Sequence, residues 1–302
     1  MKPVLAHRYS FSEAPGSKTV KDSVGTANGT LRGLGAVFDG NGQLSLPGGT
    51  ASNADPSLIS GYVELPEHII SVITNISIET WVTWLGSGTW QRIFDLGTSA
   101  GGKDISDGTG GYLFLCPQGD VDLKFSVRDP VTGTEPAPVT AKAPLAAGTE
   151  VYLAVVYDYA NNATLLYSNA VLVASSTAPV ALGTIDDVNN WLGRSQWGDP
   201  MFQGKYDEFR IWSGAMLPDQ VASNYAAGPD SLTAAPKITA AQSGNRLVVS
   251  WPVADGFTLQ TSAQLGTAAN WSAVTTAPTV QNGQNTVTIA IGLETQFYRL
   301  KQ

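Results

Sequence analysis

Apolar residues return at every second position along much of this chain. That period of two, the mark of strands with one buried face, restricts it to a β-rich fold. Residues 76–84, Ile-Ser-Ile-Glu-Thr-Trp-Val-Thr-Trp, carry the pattern most clearly. Further strands are predicted over 6–11, 36–38, 44–46, 61–66, 91–96, 112–115, 122–127, 150–157, 164–168 and 206–212. Asp39-Gly40-Asn41-Gly42 lies between two of them as a hairpin turn. The segments between strands are rich in Gly, Asn, Asp and Pro, as turns require. One short helix is predicted over 218–225, with Pro218 in its opening turn. A dozen or so evenly spaced strands argue for an antiparallel sandwich rather than a parallel sheet.

The composition shifts at Ala226-Ala227-Gly228-Pro229 and again at Ala234-Ala235-Pro236. The chain is therefore divided into a large domain over 1–227, a linker over 228–236 and a small domain over 237–302. The small domain carries its own strands, over 246–251, 257–261, 286–291 and 296–300. Leu247, Val249 and Trp251 share one face, and Val287, Ile289 and Ile291 another. This is a β-sandwich of immunoglobulin or fibronectin type III size. The fold class is all-β: an antiparallel jelly-roll sandwich followed by a smaller immunoglobulin/fibronectin-like one.

Scarcity excludes much chemistry. With 17 Lys and Arg against 25 Asp and Glu, the formal charge is −8, and no basic run offers a phosphate backbone a partner. Nucleic acid is set aside on that ground. The single cysteine, Cys116, excludes an intrachain disulfide and a thiolate zinc cluster. The two histidines, His7 and His68, are far apart, and neither lies near a Gly-x-Ser-x-Gly elbow. No apolar run is long enough for membrane insertion, and the N-terminus lacks a secretory apolar stretch. The protein is either cytoplasmic or a secreted one whose signal peptide has been replaced by a start Met.

The ordered series His7-Arg8-Tyr9-Ser10-Phe11, Asp22-Ser23-Val24-Gly25, Asn28-Gly29-Thr30-Leu31, Ala36-Val37-Phe38-Asp39-Gly40, Tyr62-Val63-Glu64-Leu65-Pro66, Ile76 to Val82 and Tyr206-Asp207-Glu208-Phe209-Arg210-Ile211-Trp212 resembles the laminin G-like, concanavalin A-like jelly roll. The likeness is to its bacterial, pentraxin-related form, and it covers roughly residues 4–226. The loop over 47–61 departs from the common pattern. The resemblance implies a structural Ca²⁺ held by Asp207, with Asp22, Asn28 and Asp39 from the early loops as further ligands. Ca²⁺ takes six to eight hard oxygens, which carbonyl-rich Gly/Asn/Asp turns provide. The alternative is that these acids only cap turns and pair with Arg8 or Arg32. The tail resembles a module appended to extracellular bacterial proteins, a possible surface for protein partners.

The resemblance also implies a glycan ligand. Sugars stack their C–H faces on exposed aromatics while acids and amides take their hydroxyls. Of the eight tryptophans, Trp81, Trp212 and Trp251 fall in apolar strand patterns and read as core. Trp84, Trp90, Trp191 and Trp197 stand at strand ends or in polar loops. Residues 191–199 form the densest cluster, with Arg194 inside it. Trp197 is the first candidate for a stacking platform and Trp90 the second. The Gly-rich loop over 99–111 lacks the features of a phosphate loop. Its Asp104 and Asp107 offer oxygens to a sugar or a second cation, or else only solvate a flexible loop.

Catalysis finds little support. The Glu-x-Asp-x-x-Glu signature of laminarinase-type glycosidases is absent, leaving Glu79 and Asp95 as the carboxylates a divergent hydrolase or lyase would use. His7 reads as structural, His68 as a surface turn residue and Cys116 as a buried, inert thiol. The expected function is a non-catalytic extracellular or cell-surface carbohydrate-binding protein. The alternatives are an adhesive protein acting through protein contacts and a divergent polysaccharide hydrolase or lyase.

Overall fold

The computed structural model describes residues 2–53, 58–231, 238–253, 257–266, 269–281, 283–292 and 294–301. The chain forms two compact units, Met1–Asp230 and Ser231–Gln302.

The larger unit is a sandwich of two antiparallel sheets, each of eight strands among the described residues. The first sheet, here the helix-side sheet, runs Val171–Ser176, Ala163–Ser168, Glu150–Asp158, Ile76–Trp84, Met201–Ser213, Leu44–Gly49 and Val37–Phe38, with Val4–Tyr9 also paired to Met201–Ser213. The second, the cleft-side sheet, runs Val139–Thr140, Lys124–Arg128, Tyr112–Cys116, Phe94–Gly97, Asn189–Leu192, Tyr62–Leu65, Gly29–Arg32 and Thr19–Val20. Strand parity sends Ile76, Ile78, Val82 and Trp84 inward from one sheet. They meet Phe94, Leu96, Leu113, Leu115 and Phe125 from the other in one apolar core.

Outside the sandwich the two sheets differ. The helix Pro218–Ala227 covers the outer face of the helix-side sheet. Proline at its N-terminus supplies a preset φ, and Gly228, at φ +82°, closes it by donating its N–H to the carbonyls of Asn224 and Tyr225. Val221 and Met216 pack there on Trp81, Tyr152 and Trp212, so the strand Ile76–Trp84 is buried on both faces. The carbonyl of Pro229 accepts from Arg8 and Arg210, which ties the chain after the helix to this unit as far as Asp230. Of the linker expected over 228–236, residues 232–236 lie outside the described residues.

In the smaller unit, the strands Thr239–Ser243, Arg246–Pro252, Gln284–Ala290 and Thr279–Gln281 form one sheet. Ser272–Ala273, Thr258–Ser262 and Phe297–Lys301 form a second. Val249, Trp251, Leu259 and Val287 make its buried centre.

Several strands escape the sequence reading, Val171–Ser176 and Asn189–Leu192 among them. Val171–Ser176 returns on Ala163–Ser168 through Asn169 and Ala170, both at positive φ, which is the geometry of a tight hairpin turn. Asn189–Leu192 is a central strand of the cleft-side sheet, although Asn-Asn is a poor strand former.

Candidate functional site

Because Phe94, Leu96, Leu113 and Leu115 point inward, the alternate residues of the same strands, Asp95, Tyr112, Phe114 and Cys116, face outward. Over Asn189–Leu192 and Tyr62–Leu65 this outer face is roofed. Ile59 and Met201 pack on Tyr62 and Trp191, and the Arg194 guanidinium lies 4.0 Å from the Trp191 ring centre. Over Tyr112–Cys116 it is covered by side chains alone, Trp90, Arg92 and Lys124 on Phe114 and Trp197 on Tyr112. There a cleft of about 240 Å³ is lined by Trp90, Arg92, Glu135, Trp197 and Asp199.

Each wall is fixed by identifiable contacts. Trp197 is 40% exposed, and its Nε1 donates to Tyr112 Oη at 2.5 Å. Trp90 is half-buried at φ +61° and packs on Phe114 at 6.5 Å between ring centres. Its carbonyl accepts from Arg92 Nη1 at 2.6 Å. The Arg92 guanidinium, fully buried, also reaches Asp95 at 3.2 Å and Asp199 at 2.8 Å, and lies 4.2 Å from the Phe114 ring centre. Lys124 sits 5.0 Å from the Trp90 ring centre and pairs with Glu135 at 2.8 Å.

Asp95 is the hub beneath these walls. Its Oδ2 accepts from Arg92 Nε and from the Gln196 N–H at 2.9 Å, so one carboxylate positions both the Arg92 side and the segment that carries Trp197. Burial pushes the Asp95 carboxyl up to about 7, against the pull of Arg92 and the Gln196 N–H. Burial opposes the Arg92 charge, but Asp95 and Asp199 more than offset this and hold its pKa above the ordinary value. Burial likewise lifts the Cys116 thiol to about 11, so the thiolate is disfavoured.

Several candidates read from the sequence take other roles. Trp84 is 4% exposed in the sandwich core, where its Nε1 donates to Gln91 Oε1; it continues the inward parity of Ile76, Ile78 and Val82 and cannot meet a ligand. Trp191 is fully buried beneath Arg194. Arg194 is 6% exposed and donates to the carbonyls of Ser52 and Asp104 and to Tyr62 Oη, so it holds loops down rather than facing the cleft. Asp104 differs from these: its backbone N–H donates to Asn189 Oδ1, while its carboxylate side chain is exposed. Asp107 Oδ1 accepts from Ala100, Thr109 N–H and Thr109 Oγ1, which occupies it within the same loop. Asp199 belongs to the 191–199 cluster, whereas Arg92 and Glu135 line the cleft without being sequence candidates. The one available signal was an arginine, Arg92, next to an apolar strand.

Glu79 and Asp95 do not form a carboxylate pair. Glu79 faces outward from the helix-side sheet and Asp95 outward from the cleft-side sheet, with the apolar core between them. Glu79 accepts from Tyr152 Oη at 2.7 Å, Arg210 Nη1 at 3.1 Å, Trp212 Nε1 at 3.1 Å and Asn224 Nδ2 at 3.1 Å, all under the helix. Glycosidase chemistry needs both carboxyls on one bond, and this placement forbids it for the pair.

The four residues expected to hold Ca²⁺ divide. The Asp22 carboxylate accepts from His7 Nδ1 at 2.8 Å and from the N–H groups of Arg8, Val24, Gly25 and Ala27. Burial opposes its charge, yet His7 and these N–H groups hold its pKa below the usual range. Asn28 Oδ1 is taken by the Asp22 N–H. Those oxygens are filled with donors and do not fit a cation. Asp39 Oδ1 caps the turn by accepting from the Asn41 and Gln43 N–H groups. Asp207 reaches the same turn, where its Oδ2 accepts from Gln43 Nε2. At Gly42, φ +100°, a Cβ would fall 3.9 Å from Asp207 Oδ1 and 4.0 Å from the Ser10 carbonyl, a cradle of hard oxygens. Burial and then the neighbouring Asp207 and Asp230 push the Glu150 carboxyl up to about 7 beside it. Asp207 Oδ1 and the Ser10 carbonyl are thus two hard oxygens beside one turn, and no group of three or more His, Cys, Asp or Glu side chains that could hold a metal ion occurs among the described residues.

Comparison with known proteins agrees with the architecture. Residues 57–222 match the concanavalin A-like lectin/glucanase superfamily. Domain 4 of AbnA, a GH43 extracellular arabinanase from Geobacillus stearothermophilus solved in complex with arabinotriose, superposes with a TM-score of 0.57. It is 22% identical over 74% of this chain and 98% of that one. The CBM40 of Ruminococcus gnavus IT-sialidase, bound to α2,3-sialyllactose, gives a TM-score of 0.46 at 13% identity, over 60% of this chain and 94% of that one. The leech intramolecular trans-sialidase gives 0.46 at 13% identity, over 70% and 32%. No curated protein sequence matches the chain.

Proposed function

The chain belongs to the concanavalin A-like lectin/glucanase superfamily, and from that premise we propose that it is a carbohydrate-binding protein whose ligand sits between Trp90 and Trp197. The observation that carries this reading is the exposed indole of Trp197, held by Tyr112 at the edge of a cleft whose other wall is a second indole. Aromatic faces take the C–H faces of a sugar ring, and the carboxylates of Asp199 and Glu135 are placed to accept its hydroxyls. A cleft of this size holds a few sugar units rather than a long chain. The AbnA domain was solved with arabinotriose, which supports an oligosaccharide as the ligand class here. That arabinanase is extracellular, which supports the same location for this chain. No helix among the described residues is long and apolar enough to cross a membrane.

A structural Ca²⁺ belongs to the proposal in a narrowed form. Asp207, with the carbonyl of Ser10 and the turn at Gly42, would hold it, while Asp22 and Asn28 serve the fold through hydrogen bonds. A bound ion would compensate the charge of Asp207 and pin the turn.

The test is a glycan array followed by calorimetry on the best binder. Trp197→Ala and Trp90→Ala should each weaken binding about ten- to hundred-fold, equivalent to about 1–3 kcal/mol, with the melting temperature nearly unchanged for Trp197→Ala. No binding across a broad array, or binding indifferent to both substitutions, would overturn the reading.

A further inference from the structure

The basic groups beside the cleft are all engaged. Arg92 places Nε on Asp95, Nη1 on the Trp90 carbonyl and Nη2 on Asp199. Lys124 places its ammonium on Glu135. Arg128, beyond them, donates to the Gly110 carbonyl and lies 5.9 Å from the Tyr112 ring centre. The lining itself holds two carboxylates, each already in an ion pair: Asp199 with Arg92, whose guanidinium also contacts Asp95, and Glu135 with Lys124.

Charge then decides the ligand. An acidic sugar would bring its carboxylate towards Glu135 and Asp199, with no unengaged cation among the lining residues to receive it. To gain a cation it would have to displace Asp199 from Arg92 or Glu135 from Lys124, a competition that lowers affinity by about tenfold or more. An uncharged sugar brings hydroxyl donors, which carboxylate oxygens accept through charge-assisted hydrogen bonds, and C–H faces for the two indoles. From this pairing we infer that the cleft selects uncharged oligosaccharides and rejects glycans that carry uronic or sialic acid. The inference rests on the carbohydrate reading above and deepens it to a class of ligand.

The test uses the full chain and oligosaccharides paired by charge: arabinotriose, cellotriose and galactotriose against trigalacturonate, and lactose against 3′-sialyllactose. At least one neutral member should bind, with its acidic counterpart at least tenfold weaker. Glu135→Lys should narrow that gap about tenfold. Glu135→Gln, which keeps the shape of the side chain, should narrow it by less, and it serves where the lysine variant does not fold. Acidic ligands that bind as tightly as neutral ones would overturn the inference while leaving the carbohydrate reading intact. A gap that stays the same in both variants would also overturn it. Binding to neither class would overturn the carbohydrate reading itself.

Discussion

Gly108 lies flat against the indole of Trp197: a Cβ at residue 108 would fall 2.0 Å from Trp197 Cε3. The backbone there has φ +83°, and its N–H donates to the Gln196 carbonyl. Glycine is required twice over, for the conformation and for the contact. One face of the indole is thus fixed by the Gly-rich loop, while Nε1 is fixed by Tyr112.

A substitution at this contact separates binding from folding. Gly108→Ala should push Trp197 off the loop and weaken glycan binding by about tenfold or more, because a stacking platform acts only in its correct orientation. It should also destabilise the larger unit by about 1–3 kcal/mol through the strained φ. Calorimetric titration beside a thermal melt reads both. Unchanged affinity would mean that the orientation of Trp197 does not matter to the ligand.

Metal removal tests the role assigned to Asp207. A ligand bound only by the folded state stabilises by about 2.7 kcal/mol at a hundred times its Kd, or roughly 5–10 °C for a unit of this size. EDTA should lower the melting temperature by that order, and Ca²⁺ should restore it. Asp207→Asn should melt lower and lose the EDTA response. Asp22→Asn should also melt lower, since Asp22 collects five N–H donors, but it should keep the response. A response lost in Asp22→Asn and kept in Asp207→Asn would reverse the assignment.

The buried cluster under the helix should behave as structure. Glu79 compensates Arg210 and satisfies Tyr152, Trp212 and Asn224 at full burial. Glu79→Ala leaves a buried guanidinium with one fewer partner, which costs about 3–5 kcal/mol. Denaturant melts should show that loss, and glycan affinity of the folded fraction should not move. A Glu79→Ala variant of normal stability and lower affinity would place the functional site on this sheet instead.

The parity of residues 76–84 could be read directly, and it places Glu79 and Trp81 on one face and Ile78 and Val82 on the other. Continued by two residues, the same count puts Trp84 inside, but its position at a strand end hid this. Whether the Glu79 face is open or covered depends on the helix Pro218–Ala227, some 140 residues away, which no local pattern reports. Trp191 and Arg194 look like loop residues because Asn189 and Asn190 break the apolar pattern, and their burial comes from stacking on one another. Trp90 and Trp197 were visible as aromatics in polar surroundings. The cleft between them was not visible, since it depends on Arg92, Glu135 and Asp199 meeting from three separate segments.

Stability should fall as pH rises from about 4 to about 7. A carboxyl whose folded pKa is raised keeps its proton in the native state after the unfolded chain has lost it. Over that window the native state therefore binds more protons, and raising the pH favours unfolding. Asp95, near 7 in the folded protein, contributes in this sense. Asp22, whose pKa is lowered, acts the other way, and its contribution is lost only as pH falls below the ordinary carboxylate range. Melting temperatures measured from pH 4.5 to 8 should decline and then level off. Asp95→Asn should flatten most of the decline, because its carboxyl is fully buried. At pH 5 the Asp95→Asn protein should still bind glycan, since the neutral carboxyl it imitates is the native form there. A melting temperature that rises from pH 4.5 to 7 would show that Asp95 is ionised throughout, held by Arg92 more strongly than burial opposes it.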